Sequence, residues 1–180
     1  MLFTPQRENG ANGEGPPTLV MTPEREAMPV LGAALSAEIG RRHGAPVQMM
    51  HLNQGMFDEA SLSVIGADTV REVCGLAGVA ADVRRFRPNV VVRSTRGIPF
   101  EEDEWLGGIL SFGEAEEGPA VAVTMHDLRC VMINIDPDQG TLDPEVLKAV
   151  ARANHTNAGV YTTVTRAGRL SVGQRVVLHR

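Results

Sequence analysis

At 180 residues the chain is long enough for one domain with a core of its own and short for two. Hydrophobic residues make up 43% and charged residues 22%, no apolar run approaches the roughly 18 residues that span a bilayer, and the opening MLFTPQRENG lacks the basic start and apolar segment of a secretory signal. The net charge of −5 argues against a general nucleic-acid binder, so the expectation is a cytoplasmic protein with no nucleic-acid or membrane partner.

Residues 1–17 are rich in Gly, Asn, Pro and charge and read as a flexible lead-in, with a single domain over 18–180. Thr18 to Thr22 is a strand candidate. Leu31, Leu35 and Ile39 recur at helical spacing, and Gly40 and Gly44 close the pattern. Val47 to Leu52 reads as a strand, and Asp58 to Gly66 alternates loosely. A second helix follows: Thr69 and Glu72 have capping-box spacing, and Val70, Val73 and Cys74 share its apolar face, which makes Cys74 a core residue. Arg85 to Arg93 reads as a strand opened by a proline, and Ala120–Met125 and Cys130–Asp136 as two more. Asp143-Pro144-Glu145 signals a helix start, with Asp143 as the N-cap. The closing VYTTVTRAGRLSVGQRVVL has the pattern of a β-hairpin turning near Ala167-Gly168. Seven or eight short strands against three short helices favour a mixed α+β fold, mainly β: a closed or half-closed barrel with peripheral helices.

Three places could carry chemistry. If RFRPNVVVR is a strand, Arg85, Arg87 and Asn89 project together, a donor-rich patch suited to an anion or a polar heterocycle; the plainer alternative is a solvated strand face. If RCVMINID is a strand, Val131, Ile133 and Ile135 form its core face and Cys130 lies on the mixed one. Arg129 beside it supplies a positive charge that suits a thiolate, the form needed for a soft metal or for nucleophilic attack. A buried, inert thiol is the alternative. His126, four residues earlier, could pair with Cys130 in a Cys–His enzyme or simply lie on the surface. The run Glu101 to Glu104 before Trp105 reads as a solvated loop anchored by the tryptophan. Sixteen of the seventeen basic residues are Arg, which fits a GC-rich genome as well as anion binding.

In order along the chain, FDEASLSVIG, RRFRPNVVV, PFEEDEW, RCVMINIDPDQG and VYTTV…GRLSVGQRVVL resemble the MOSC domain, the C-terminal domain of molybdenum cofactor sulfurases, found also in bacterial stand-alone proteins and the mitochondrial amidoxime-reducing component. The resemblance spans roughly residues 18 to 178. It implies a MOSC-type β-barrel that binds molybdenum cofactor (molybdopterin), with Cys130 as the thiolate ligand to the metal. Arg87 and Asn89 match the cofactor-contacting residues of the family, Arg129 matches the residue beside the ligand, and Asp58 and Ser61 fall in another cofactor-lining stretch. Implied functions are a molybdenum-dependent oxidoreductase, or its catalytic subunit, acting on N-hydroxylated or related small molecules with an external electron-donor redox protein. The alternative is a non-catalytic carrier of cofactor or sulfur, with Cys130 as the persulfide site loaded by a cysteine desulfurase. Larger relatives hold the cofactor's phosphate with an extra N-terminal β-rich region. The polar lead-in here departs from that pattern: either a partner or a second copy of the chain supplies that grip, or the chain is a fragment or a degenerate member of the family.

Overall fold

The structure is a computed structural model that describes residues 3–7, 17–50, 59–113 and 118–180. It divides into two compact units, Met1–Met56 with Asp138–Gly140, and Phe57–Pro137 with Thr141–Arg180. In the first, β1 (Thr4–Gln6), β2 (Leu19–Met21) and β3 (Ala27–Pro29) form an antiparallel sheet in that order, so part of the expected lead-in is a paired strand. Helix α1 (Ala33–His43) runs through Gly40 and ends at Gly44 in the left-handed conformation that glycine adopts without strain. Leu35 is its buried residue. Residues 47–50 are not a strand, and 51 and 52 lie outside the described residues.

The second unit contains β4 (Leu62–Gly66), α2 (Ala67–Ala77), β5 (Val90–Val92), β6 (Ile109–Phe112), β7 (Ala120–Leu128), α3 (Glu145–Asn154), β8 (Asn157–Arg166) and β9 (Val176–His179). Its sheet has the order β5-β4-β8-β7-β6-β9, antiparallel except for the β4–β5 pair, and curls into a half-barrel. Strand β4 is covered on both faces, as its adjacent residues show. Val64 packs among Val92, Trp105, Leu110, Phe112 and Val160 inside the curl, while Ile65 packs among Val70, Val73, Phe86, Val146 and Val150 beneath α2 and α3. Cys74 is fully buried in that helix-side cluster, as its position beside Val70 and Val73 predicts.

Three local expectations are corrected, each because a distant partner outweighs a local pattern. The closing segment is not a hairpin: β8 pairs with β4 and β7, whereas β9 crosses to the far side of β6, with Leu178 opposite Leu110. There Val176 and Leu178 cover the interior cluster, which pairing with the exposed end of β8 would not allow. The N-cap position of α2 is Gly66, not Thr69. The cap comes instead from Glu102, whose Oε1 accepts from Gly66 N at 3.3 Å and whose Oε2 accepts from Thr69 Oγ1 at 2.8 Å. A Cβ on Gly66 would stand 2.7 Å from Glu102 Oε2, so only glycine admits this approach. The N-cap position of α3 is Pro144, and Asn134 Oδ1 accepts from Leu147 N at 2.9 Å in the first turn. Asp143 is thereby released to an ion pair with Arg85.

Of the acidic run, Trp105 is buried as expected, but the segment Glu101–Trp105 is a 3-10 turn with Glu102 only 1% exposed. Burial pushes the Glu102 carboxyl above its ordinary value, and its hydrogen bonds pull only part-way back. Because the folded value exceeds the unfolded one, Glu102 contributes stability below about pH 4.3, its unfolded value, and that contribution disappears as pH rises through the folded value. The expected result is that Glu102→Gln flattens the decline in stability between acid and neutral pH, measured by urea unfolding at a series of pH values. An unchanged slope would contradict the assignment.

Candidate functional site

The site begins where β7 ends. Cys130 is not in a strand: residues Val131–Asn134 form a 3-10 turn, and Cys130 occupies its N-cap position, its carbonyl accepting from Ile133 N at 3.3 Å. The turn buries Ile133 and Asn134 and leaves Cys130, Val131 and Met132 exposed. The alternation expected over 130–136 fails because Asn134 is drawn inward to cap α3. Among the described residues the Cys130 thiol has no hydrogen-bond partner.

The RFRPN segment is likewise a turn before a strand. Val83–Arg85 is a 3-10 turn and β5 starts only at Val90, so Arg85, Arg87 and Asn89 do not share a strand face. Arg85 is 5% exposed and points inward, its Nη2 at 2.9 Å from Asp136 Oδ2 and 2.7 Å from Asp143 Oδ2, with Nη1 donating to Asn134 O. It ties together Asp136, the 3-10 turn after Cys130 and the start of α3. Arg87 is the outward one. It has φ +52°, a left-handed conformation uncommon for a side-chain-bearing residue and at odds with the extended backbone usual before proline. Its guanidinium has no hydrogen bond or ion pair among the described residues. Asn89 is exposed, but its Oδ1 accepts from Ser63 N at 2.8 Å while its own N donates to Ser63 O at 2.8 Å. That fixes the amide with its Nδ2 donor left over.

Arg129, the neighbour of Cys130, turns inward. Nε donates to Ala158 O at 2.6 Å and Nη1 to Phe86 O at 2.8 Å, and the guanidinium lies 5.7 Å from the centre of the Phe86 ring. Nη2 lies 2.8 Å from Asp127 Oδ2, a charge contact without hydrogen-bond alignment. Burial pushes the guanidinium below its ordinary value, while the Asp127 charge pulls it back up. Gly159 at φ +92° makes room, since a Cβ there would meet Val64 O at 2.8 Å and Arg129 Nη2 at 3.0 Å. The Arg129–Phe86 bond joins the residues immediately before Cys130 and Arg87, and so brings the two motifs to one place.

Ser61 is exposed just ahead of β4, and Asp58 lies outside the described residues. His126 Nδ1 is 3.1 Å from Asp103 Oδ1, and Asn154 Nδ2 donates to Asp103 Oδ2 at 2.6 Å, so its recorded partner is Asp103 and not Cys130. Sequence reasoning missed Ser63 and Asp127, both buried, with Ser63 Oγ donating to Asp127 Oδ2 at 2.6 Å. The available signal for Asp127 was its strand position, an even number of residues beyond Val121 and Val123.

Residues 40–177 match the MOSC domain family. The chain belongs to that family. Among solved structures, the MOSC chain is similar to the YuaD protein from Bacillus subtilis, with a TM-score of 0.53 and 20% identity over 73% of this chain and 70% of that one. At that identity the likeness shows the fold, which is mixed, mostly strands, with three α-helices among the described residues. No curated protein matches the chain. No helix among the described residues is long and apolar enough to cross a membrane.

Proposed function

We propose that this MOSC protein binds molybdenum cofactor at Cys130, Arg87 and Asn89 and is an oxidoreductase, or the catalytic subunit of one, acting on N-hydroxylated or related compounds. The observation that carries the reading is an exposed thiol and a guanidinium without a partner among the described residues, on segments joined by the Arg129–Phe86 bond. The donor set fits the group: a sulfur ligand suits a soft, sulfur-ligated metal, and the Arg87 fork with the spare Asn89 amide suits an anionic, heteroatom-rich ligand. When bound, the cofactor supplies two-electron exchange at its metal, as in R–NHOH + 2e⁻ + 2H⁺ → R–NH₂ + H₂O.

The chain's own residues bind and orient. Cys130 Sγ would hold the metal, and the 3-10 turn that it begins keeps the thiol at the surface. Arg87 would neutralise the ligand's negative charge, and Asn89 would donate from Nδ2. Ser61 and Asp58 are proposed as further lining residues. The sequence carries no flavin, haem or iron–sulfur motif, so the electrons come from a separate redox protein. We place the protein in the cytoplasm.

The exposure of Cys130 also favours a second reading, a sulfur carrier. There its thiolate would attack the outer sulfur of a desulfurase persulfide, gaining a persulfide and releasing the desulfurase thiolate. One experiment separates the two. Protein made in a host that synthesises the cofactor is purified anaerobically as wild type and Cys130→Ala, and molybdenum and pterin are measured together. The expected result is near-stoichiometric molybdenum and pterin in the wild type, lost in the variant, with reduction of an N-hydroxylated compound by a competent donor. Folded wild type without either, gaining one sulfur atom at Cys130 from a desulfurase, would replace the first reading with the second.

A further inference from the structure

The residues that face solvent at this site are held from behind by a buried polar chain. Ser63, 8% exposed, binds Asn89 through both of its backbone groups, and its Oγ donates to Asp127 Oδ2 at 2.6 Å. Asp127, 2% exposed, lies 2.8 Å from Arg129 Nη2, and Arg129 Nη1 holds Phe86 O. The chain therefore runs from the residue before Cys130, through Asp127 and Ser63, to Asn89, and by its other arm to the residue before Arg87. Each end of it is bonded to a candidate ligand-holding segment.

We infer that Ser63 and Asp127 are positioning residues that fix Cys130, Arg87 and Asn89 in one mutual arrangement, an inference that rests on the ligand-binding reading of those three. Stability alone does not account for the chain. Well-packed apolar residues often replace a buried ion pair at no loss, so a stabilising core had a simpler solution available. What apolar packing does not supply is directional bonding. Three segments well separated in sequence, around residues 63, 86–89 and 127–130, are held in register by hydrogen bonds of 2.6–2.8 Å, with the Arg129–Asp127 charge contact beside them. Residues that orient ligands from behind have this form.

Ser63→Ala removes only the Oγ link, and Ser63→Thr restores a hydroxyl in a residue at home in a strand. Leu110→Ala, at a buried position of β6 opposite Val121 and outside the cluster that holds Phe86, serves as a destabilised control. In the cofactor-free protein a nitroxide is attached to Cys130, which is exposed while Cys74 is buried, and its mobility is read by electron paramagnetic resonance. Molybdenum retention is measured in parallel. Ser63→Ala should show a new mobile label component and about tenfold weaker molybdenum retention, the lower end of what loss of an outer bonding partner costs. Ser63→Thr should restore both, and Leu110→Ala should change neither. An immobile label in Ser63→Ala, or the same mobility in Leu110→Ala, overturns the inference. If the wild type takes up no molybdenum while the label responds as stated, the cofactor reading fails and the positioning role stands.

Discussion

Replacing Arg129 with leucine is expected to destabilise the protein by about 3–5 kcal/mol, the cost of removing one member of a buried ion pair. The carboxylate of Asp127, 2% exposed, would lose its cation, and Ala158 O and Phe86 O would lose their donors. The second substitution Asp127→Asn should recover a large part of that loss, because it removes the stranded charge while an amide oxygen can still accept from Ser63 Oγ. Urea unfolding of the two single variants and the double variant measures both effects. A single-variant cost below about 1 kcal/mol would mean that the contact contributes no more than an exposed pair. The expected loss would mark Arg129 as a brace behind the segment that carries Cys130.

The parts of the fold that were legible in the sequence depend on neighbours in the chain. The apolar face of α2, including the burial of Cys74, follows from a helical period and survives unchanged. The start of α3 was legible in Pro144 and Glu145, but its cap was not, since Asn134 comes from a turn ten residues earlier. Strand periodicity misled where a polar residue was drawn inward: Arg85 toward Asp136 and Asp143, and Asn134 toward α3. In both cases long-range ion pairing or capping overrides local alternation. The candidate site shows the same division. Cys130, Arg87 and Asn89 were nameable from their motifs, whereas Ser63 and Asp127 carry no motif and become visible only when β4 is seen one strand from β7, across β8.

Arg87→Gly is expected to separate stability from function. A side-chain-bearing residue at φ +52° before a proline pays for a conformation that glycine adopts freely, so the glycine variant should be more stable by about 0.5–1 kcal/mol. No folded-state interaction of the side chain offsets this, because the guanidinium has no bonding partner among the described residues. The same substitution removes the charge proposed to hold the ligand, so molybdenum and pterin should fall to the level of Cys130→Ala. Arg87→Lys should retain part of both, since it keeps a charge without the two-pronged geometry and leaves the backbone strained. Urea unfolding of the cofactor-free protein gives the first quantity and metal analysis the second. A glycine variant that loses stability would show that the Arg87 side chain braces the fold. One that keeps its molybdenum would show that the strain serves something other than ligand binding. A gain in stability together with loss of ligand is the outcome that strain retained for function requires, since strain with no use would be relieved by a single substitution.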